Sequence, residues 1–507
     1  MTIGRLSQDR EKTMSHHFMG IDLGGTVTKA GIYTAEGQEI AVAAQTLPLL
    51  SPQPGFCERD MEDLWRATCE VIRRALAESH LSAEQIHGIG FSSHGKGLYL
   101  VDKSGKPVRN GIVSSDSRAQ SLVAAWKAQD IDRLAYPLSF QQLWPSHPAA
   151  LLRWLKQHEP ENYARTGYVL MAHDYIRYRL TGAFTCEETN ISGSQLFNLQ
   201  HNAFDPTLFA LFGIEEMMEC LPKVIGSAEH AGALTPEAAA LCGLKTGTPV
   251  FGGVFDVVGA AITSGVYDST QLSAVAGTWS IATRVFDDII PADYPYVWGK
   301  FSIPGHYFAH EGSPTSASNL TWFIQHFFPD LQDDHDTLNH WVARGYEKSD
   351  SILFFPWLYG SNYCDSLRGG FFGLEGHHSA EDMVFAIYQG IVFSHLLHQD
   401  KLLQLSEGTQ TIRFTGGPTH SRIWMQMFCD ASNLPLEIVD VAQSGCRAAA
   451  MCATVGAGDY TGFEQAINAT QPPVIRLEPD AEKHQLLRRR FERFKRVAEA
   501  LSSIDCE

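Results

Sequence analysis

The stretch GIDLGGTVTKAGIY at residues 20–33 places an acid, two adjacent glycines, two hydroxyls and a lysine between apolar runs. Glycines between strands let the backbone turn tightly and aim its N–H groups at a ligand. Gly24 and Gly25 supply the turn, Thr26 and Thr28 supply hydroxyls, and Lys29 supplies a positive charge. Together they read as a phosphate cradle, and Asp22 suits a Mg2+ ion held through water. A plain hairpin turn accounts for the same spelling. Two later stretches repeat the logic. LSAVAGTWS at 272–280 offers Gly277, Thr278 and Ser280 after a strand, and IRFTGGPTHS at 412–421 offers Gly416, Gly417 and Ser421. Three such loops over two halves fit a nucleotide in a cleft between domains. The chain has no GxxxxGK[ST] and no GxGxxG after its first strand, which excludes P-loop and dinucleotide folds. GFSSH at 90–94 lacks the final glycine of a nucleophile elbow.

Asp256 interrupts the apolar run FGGVFDVVGAAI at 251–262. A carboxylate there is costly to bury without a role. It can cap a helix beginning at Val257, and the helix dipole then keeps it ionised. An ionised carboxylate can also accept a hydroxyl proton in phosphoryl transfer.

The 507 residues predict two domains, and the formal net charge of −18 argues against a nucleic-acid partner. No apolar run is long enough to predict a membrane span. Residues 1–17, MTIGRLSQDREKTMSHH, lack a signal-peptide core; they are expected to be a disordered extension, with Met14 an alternative start. Ten scattered cysteines without CxxC predict reduced thiols in a cytoplasmic protein.

The elements that must position these residues follow from pattern. Strands are expected at 18–23, 29–34, 39–47 and 86–92, with a helix capped by Asp60 between the last two. Residues 119–240 read as mostly helical, and 249–255 as one buried strand. Further strands fall at 272–276, 281–286, 298–303, 306–310 and 411–415, and helices at 380–404 and 480–502. No short repeat predicts a solenoid. With no Pro/Gly/Ser linker, the domain boundary is expected in a compact hinge near 257–265.

These motifs, in this order, resemble the FGGY family of carbohydrate kinases, within the actin, hexokinase and chaperone ATPase superfamily. The resemblance covers residues 18–480 and rests on DLGGTVTKAGIY, GFSSHGKGLYLVDKSGKPV, SSDSR, GGVFDVVGAA, AGTWS and FTGGPTHSRIWMQMFCDAS. SPQPGFCERDMEDLW, LWPSHP, HDYIRYRLTG and HEGSPTS resemble the branch acting on L-xylulose. It implies an α/β fold of two actin-like, ribonuclease H-like domains with an ATP and sugar cleft between them. The implied division is 18–260 for sugar, 261–485 for nucleotide and a helical tail at 486–507. It further implies ATP-dependent phosphorylation of the terminal hydroxyl of a pentulose such as L-xylulose, with ATP and Mg2+, a cytoplasmic setting and a homodimer. A sugar alcohol is the alternative substrate. A sugar-independent ATPase module shares the phosphate loops, and a regulator that binds sugar without turnover is a third reading.

Residue by residue, the resemblance makes Asp256 the catalytic base. Asp22 to Thr26 match the first phosphate loop, Ala276 to Thr278 the second, and Gly416, Gly417 and Ser421 the adenosine motif. His94, Gly95 and Lys96 occupy sugar-contacting positions. Kinases of D-xylulose carry Met-His where this chain has Gly95-Lys96, and glycerol kinases carry Arg-Glu, which counts against both substrates. Asp116 and Arg118 match a D-x-R element near the sugar; a surface salt bridge is the plainer reading. Trp144 and His147 match a segment flanking the sugar, and Glu311 and Ser313 fall on the second-domain side of the cleft. Ala448 stands where the family usually has glycine, which puts nucleotide preference in doubt.

Overall fold

The computed structural model describes residues 16–277, 279–347, 352–360 and 367–503. Residues 1–15 with Met14, the predicted ligand Thr278, Cys364 and Cys506 lie outside the described residues.

Short turns set the first three strands antiparallel: β1 (His17–Leu23), β2 (Val27–Thr34) and β3 (Glu39–Thr46). The first strand begins at His17, the last residue assigned to the extension. Helix α1 (Met61–Ser79) follows. Asp60 caps it by accepting the amides of Glu62 and Asp63 at 2.8 and 2.9 Å. Its Leu64, Val71, Ile72 and Ala75 are buried in the first core, as the 3.6-residue spacing predicts. As a crossover, α1 returns the chain parallel to β1 in β4 (Ile86–Ser93). β5 (His230–Ala233), α2 (Pro236–Cys242) and β6 (Pro249–Phe251) complete that side. The strand expected at 249–255 is broken. Gly253 has φ +109° and leaves no room for a Cβ beside Phe91, so Val254–Phe255 re-pairs separately with β4. Helix α3 (Asp256–Thr263) starts there. Residues 119–240 are less helical than expected, with five short strands besides β5 between 168 and 225.

The second half rebuilds the plan with β7 (Gln271–Ala276), β8 (Ser280–Phe286), β9 (Val297–Lys300), β10 (Tyr307–Ser313) and β11 (Thr411–Thr415). Helix α4 (Arg422–Ser432), β12 (Leu436–Val439), α5 (Ser444–Ala457), β13 (Val474–Leu477) and α6 (Ala481–Ser502) complete it. The sheet orders are β5-β6-β4-β1-β2-β3 and β9-β10-β8-β7-β11-β12-β13. In each, a run of antiparallel strands, three in the first sheet and four in the second, meets two parallel ones, so β1, β2, β4 correspond to β7, β8, β11. The α/β, two-sheet expectation holds.

Two helices cross the expected divisions. Helix α6 runs unbroken across 485/486, and its Leu487, Phe491 and Phe494 belong to the second core rather than to a separate tail. Helix α5, from the second half, lies against the first sheet. A Cβ on Gly20 would stand 1.8 Å from the Cys446 carbonyl oxygen, and one on Gly90 2.0 Å from that of Ala449. Those two glycines are what let β1 and β4 accept the helix.

Candidate active site

Each predicted phosphate loop ends the strand at the middle of its sheet. After β1, Gly25 and Thr26 are exposed, and buried Arg59 grips the turn by donating to the Gly24 carbonyl at 3.1 Å and to that of Gly25. After β7, a Cβ on Gly277 would meet open space. After β11, Gly416 (φ +107°) lies so close that a Cβ would stand 2.1 Å from the Ala276 oxygen. The second and third loops are thus interlocked, and only glycine fits.

Of four other predicted ligands, Lys29 and Ser421 are engaged elsewhere, while the Thr28 and Ser280 hydroxyls are buried without a hydrogen-bond partner among the described residues. Thr28 is fully buried on β2. Lys29 donates to Gln443 Oε1 at 2.9 Å, bridging the two halves. Ser280 is buried at the start of β8. Ser421 caps α4 and donates to Asn339 at 2.6 Å. Ala448 is fully buried, and its methyl faces Gly259 of α3, where a Cβ would approach it to 3.1 Å. The extra methyl therefore sits in a helix–helix contact, not in a nucleotide pocket.

Two buried carboxylates stand within reach of each other's charge. Asp22 stands on β1 across from Lys29 and Ser92, and burial pushes its carboxyl up to about 6 against the pull of Lys29 and the Ser92 hydroxyl. Asp256 is the first residue of α3, and the cap position is Phe255. Burial, and then the Asp22 charge, push Asp256 up to about 7, against the Val257 amide and Lys96. Lys96 is brought down to about 8 by burial, with Asp256 opposing. Its ammonium lies 4.9 Å from the centroid of the Trp144 ring.

Lys96, Trp144 and His147 from the first half and Trp279, His310 and Glu311 from the second line a cleft of about 190 Å³. Burial, with the Lys96 charge second, brings His310 down to about 4 and holds His147 well below the ordinary imidazole value. Burial opposes ionisation of Glu311, but His398 and Lys401 outweigh it and hold its carboxyl below the ordinary value. Larger hollows of about 730 and 680 Å³ lie elsewhere, around Trp65, Arg179 and Leu241, and contain none of the predicted site residues.

Four other predicted sugar contacts lie outside the lining of this cleft. His94 is buried beside Tyr99 and Asn190, and burial and the Arg59 charge bring it down to about 4. Gly95 packs on Phe255, whose ring would stand 2.5 Å from a Cβ. Asp116 and Arg118 are bonded to each other at 2.8 and 2.9 Å, and Arg118 also donates to Glu58 at 2.7 Å. They form a buried network under Phe56 and Trp154, neither a surface pair nor part of the cleft lining. Ser313 is buried on His398 at 2.7 Å, whereas its neighbour Glu311 reaches the cleft.

Sequence reasoning missed Arg59, Trp279 and His310. All three lay inside stretches that carry the resemblance, SPQPGFCERDMEDLW, AGTWS and HEGSPTS, and Trp279 is an exposed tryptophan.

Residues 17–263 match the N-terminal domain, and 272–457 the C-terminal domain, of the FGGY family of carbohydrate kinases. The chain belongs to this family and is an ATP-dependent sugar kinase. It is 44% identical over 489 residues to the L-xylulose/3-keto-L-gulonate kinase of Escherichia coli (strain K12), covering 96% of this chain and 98% of that kinase. It is 40% identical over 490 residues to a probable L-xylulose kinase of Pasteurella multocida (strain Pm70), covering 96% of this chain and all of that one. The fold superposes on ligand-bound xylulose kinase from Lactobacillus acidophilus with a TM-score of 0.90 at 22% identity, over 97% of this chain and 99% of that one. Of the readings that shared the phosphate loops, the family selects the kinase. Among the described residues, no helix is long and apolar enough to cross a membrane.

Proposed function

We propose that this kinase phosphorylates the terminal hydroxyl of a pentulose, L-xylulose, with Asp256 as base. The observation that carries the assignment is that Asp256 feels the charges of both Asp22 and Lys96, and Lys96 lines a cleft whose walls come from both halves. The sugar's identity is supported by the names of the relatives at 44% and 40% identity. Asp256 orients the hydroxyl and takes its proton as the oxygen–phosphorus bond forms and the bond to ADP breaks. Lys96 donates to the sugar, and Trp144 gives it an apolar wall. The exposed turn at Gly24 to Thr26 and the loop at Gly277 receive the phosphates. Gly416 and Gly417 let adenosine lie against the backbone. The sugar side is residues 18–260 and the nucleotide side begins at 261. Closure of one half on the other excludes water, the competing acceptor.

Mg2+ fits the donor set, since it is commonly held by one or two carboxylates with phosphate and water. Asp22 would hold it, with Asp256 beside it; the charge that Asp22 presses on Asp256 is what a cation relieves. Bound there, it would neutralise phosphate charge. A cytoplasmic location is supported by the use of ATP, and a homodimer by the family resemblance alone; fractionation and sedimentation test them.

A second substrate has its own observation. Lys96 on the cleft wall, with two imidazoles, would receive the carboxylate of a keto sugar acid, the class named for the E. coli relative. The deciding experiment is ADP release with Mg2+-ATP over L-xylulose, D-xylulose, L-ribulose, 3-keto-L-gulonate, xylitol and glycerol. The expected result is preference for L-xylulose, abolished in Asp256→Asn. Indifference to every sugar overturns the reading.

A further inference from the structure

We propose that Cys69 and Cys242 are a redox-active thiol pair that hydroperoxides close into a disulfide, stapling α1 to α2. Cys242 Sγ donates to Cys69 Sγ at 3.5 Å. The two helices are already fastened beside the pair, because Arg73 of α1 donates to the Leu241 carbonyl of α2 at 2.8 Å. Closing the bond therefore asks the sulfurs to approach by only about 1.5 Å.

The two cysteines are not equivalent. Cys69 lines the 680 Å³ hollow with Glu70, Arg73, Arg179 and Leu241, so a small peroxide reaches it. Cys242 is fully buried behind it. The hydrogen bond from Cys242, helped by Arg73 and Arg179 and opposed by burial, holds the Cys69 thiol below its ordinary value. Burial pushes the thiols of Cys186, Cys429, Cys446 and Cys452 up. Cys69 is thus the attacking thiolate and Cys242 the resolving thiol. The Cys69 sulfur attacks one peroxide oxygen, the O–O bond breaks, and hydroxide leaves and is protonated to water. The Cys242 sulfur then displaces hydroxyl from the Cys69 sulfenic acid, and a second water leaves. In sum, two thiols and one hydrogen peroxide give one disulfide and two waters.

The bond would close the chain from 69 to 242, a loop long enough for appreciable stabilisation. It would join the helix that follows Arg59, which grips the first phosphate loop, to the segment leading to Asp256.

The test treats the reduced full-length protein, Cys69→Ser and Cys242→Ser with hydrogen peroxide, then counts thiols after denaturation and maps peptides. In the wild type the count falls by two from ten, and the map joins the peptides of Cys69 and Cys242. The apparent Tm rises by several degrees and returns on reduction. Each serine variant keeps wild-type ADP release and shows no such Tm rise. Retention of both thiols, or a map joining other cysteines, overturns the proposal. The wild-type map decides it even where a serine variant fails to fold.

Discussion

Gly445 lies against Asp22 so closely that a Cβ built on it would stand 2.4 Å from the carboxyl carbon. The first residues of α5, from the second half, thereby set the position of an acid on the first half's central strand. Gly445→Ala forces one of them to move. The expected outcome is a fall in kcat of about 100-fold, the scale of a 1 Å misplacement at a reacting centre. Steady-state kinetics checks it, with Gly25→Ala, whose open surroundings lie at the exposed turn, as the comparison.

The Asp256 carboxyl, ordinarily near 3.8, is raised to about 7. A base works in its ionised form, so activity is present above that value and lost as pH falls through it. The free-enzyme profile of kcat/KM should drop tenfold per pH unit below about 7. Asp256→Asn should lower kcat by roughly 10² to 10⁴ and abolish that acid limb. An unchanged limb in the variant would assign the titration to another group.

Lys96 gives the alkaline counterpart. Its ammonium is brought down to about 8, so it is charged below that pH and neutral above it. KM for the sugar should rise as pH passes about 8 in the wild type and stay flat in Lys96→Met. The substitution should raise KM roughly tenfold, the weight of about one charge-assisted hydrogen bond. It should penalise a sugar acid more than a neutral ketose. Initial rates on L-xylulose and 3-keto-L-gulonate across pH 6–9 measure both.

What could be read from sequence was local. Strand-to-glycine turns announce themselves because only glycine makes them, and an aspartate in an apolar run is conspicuous; Gly416 and Asp256 were found that way. Residues defined by distant partners were hidden. Gly20 and Gly90 carry no signal within their strands; α5, more than 350 residues away, explains them. The spacing of Asp116 and Arg118 says nothing about Glu58, which turns the pair into a buried network. Lys29 looked free to meet phosphate because Gln443 is distant in the chain. Arg59 stood among acids and carried no signal of its own, yet it holds the loop that the sequence had picked out.

The positioning of Asp256 depends on a side chain that touches no reactant. Thr189 donates its hydroxyl to Glu187 Oε2 at 2.7 Å, and the Thr189 hydroxyl oxygen accepts the Phe255 amide at 2.8 Å. Phe255 is the residue before the base, so this relay fixes where α3 begins. Asn190, next in the chain, donates to the His94 carbonyl at 3.4 Å, two residues before Lys96. One short helix, Glu188–Ile191, therefore braces both the base and the lysine. Thr189→Val removes the acceptor while keeping the shape. It leaves the Phe255 amide and one Glu187 oxygen without that partner, at a cost of about 1–3 kcal/mol. With the base displaced, kcat should fall about 10- to 100-fold. Thr189→Ser restores the oxygen and should recover most of the loss, which a defect in packing alone would not do. KM for ATP should hold, because the loops at Gly25 and Gly277 are built on other strands.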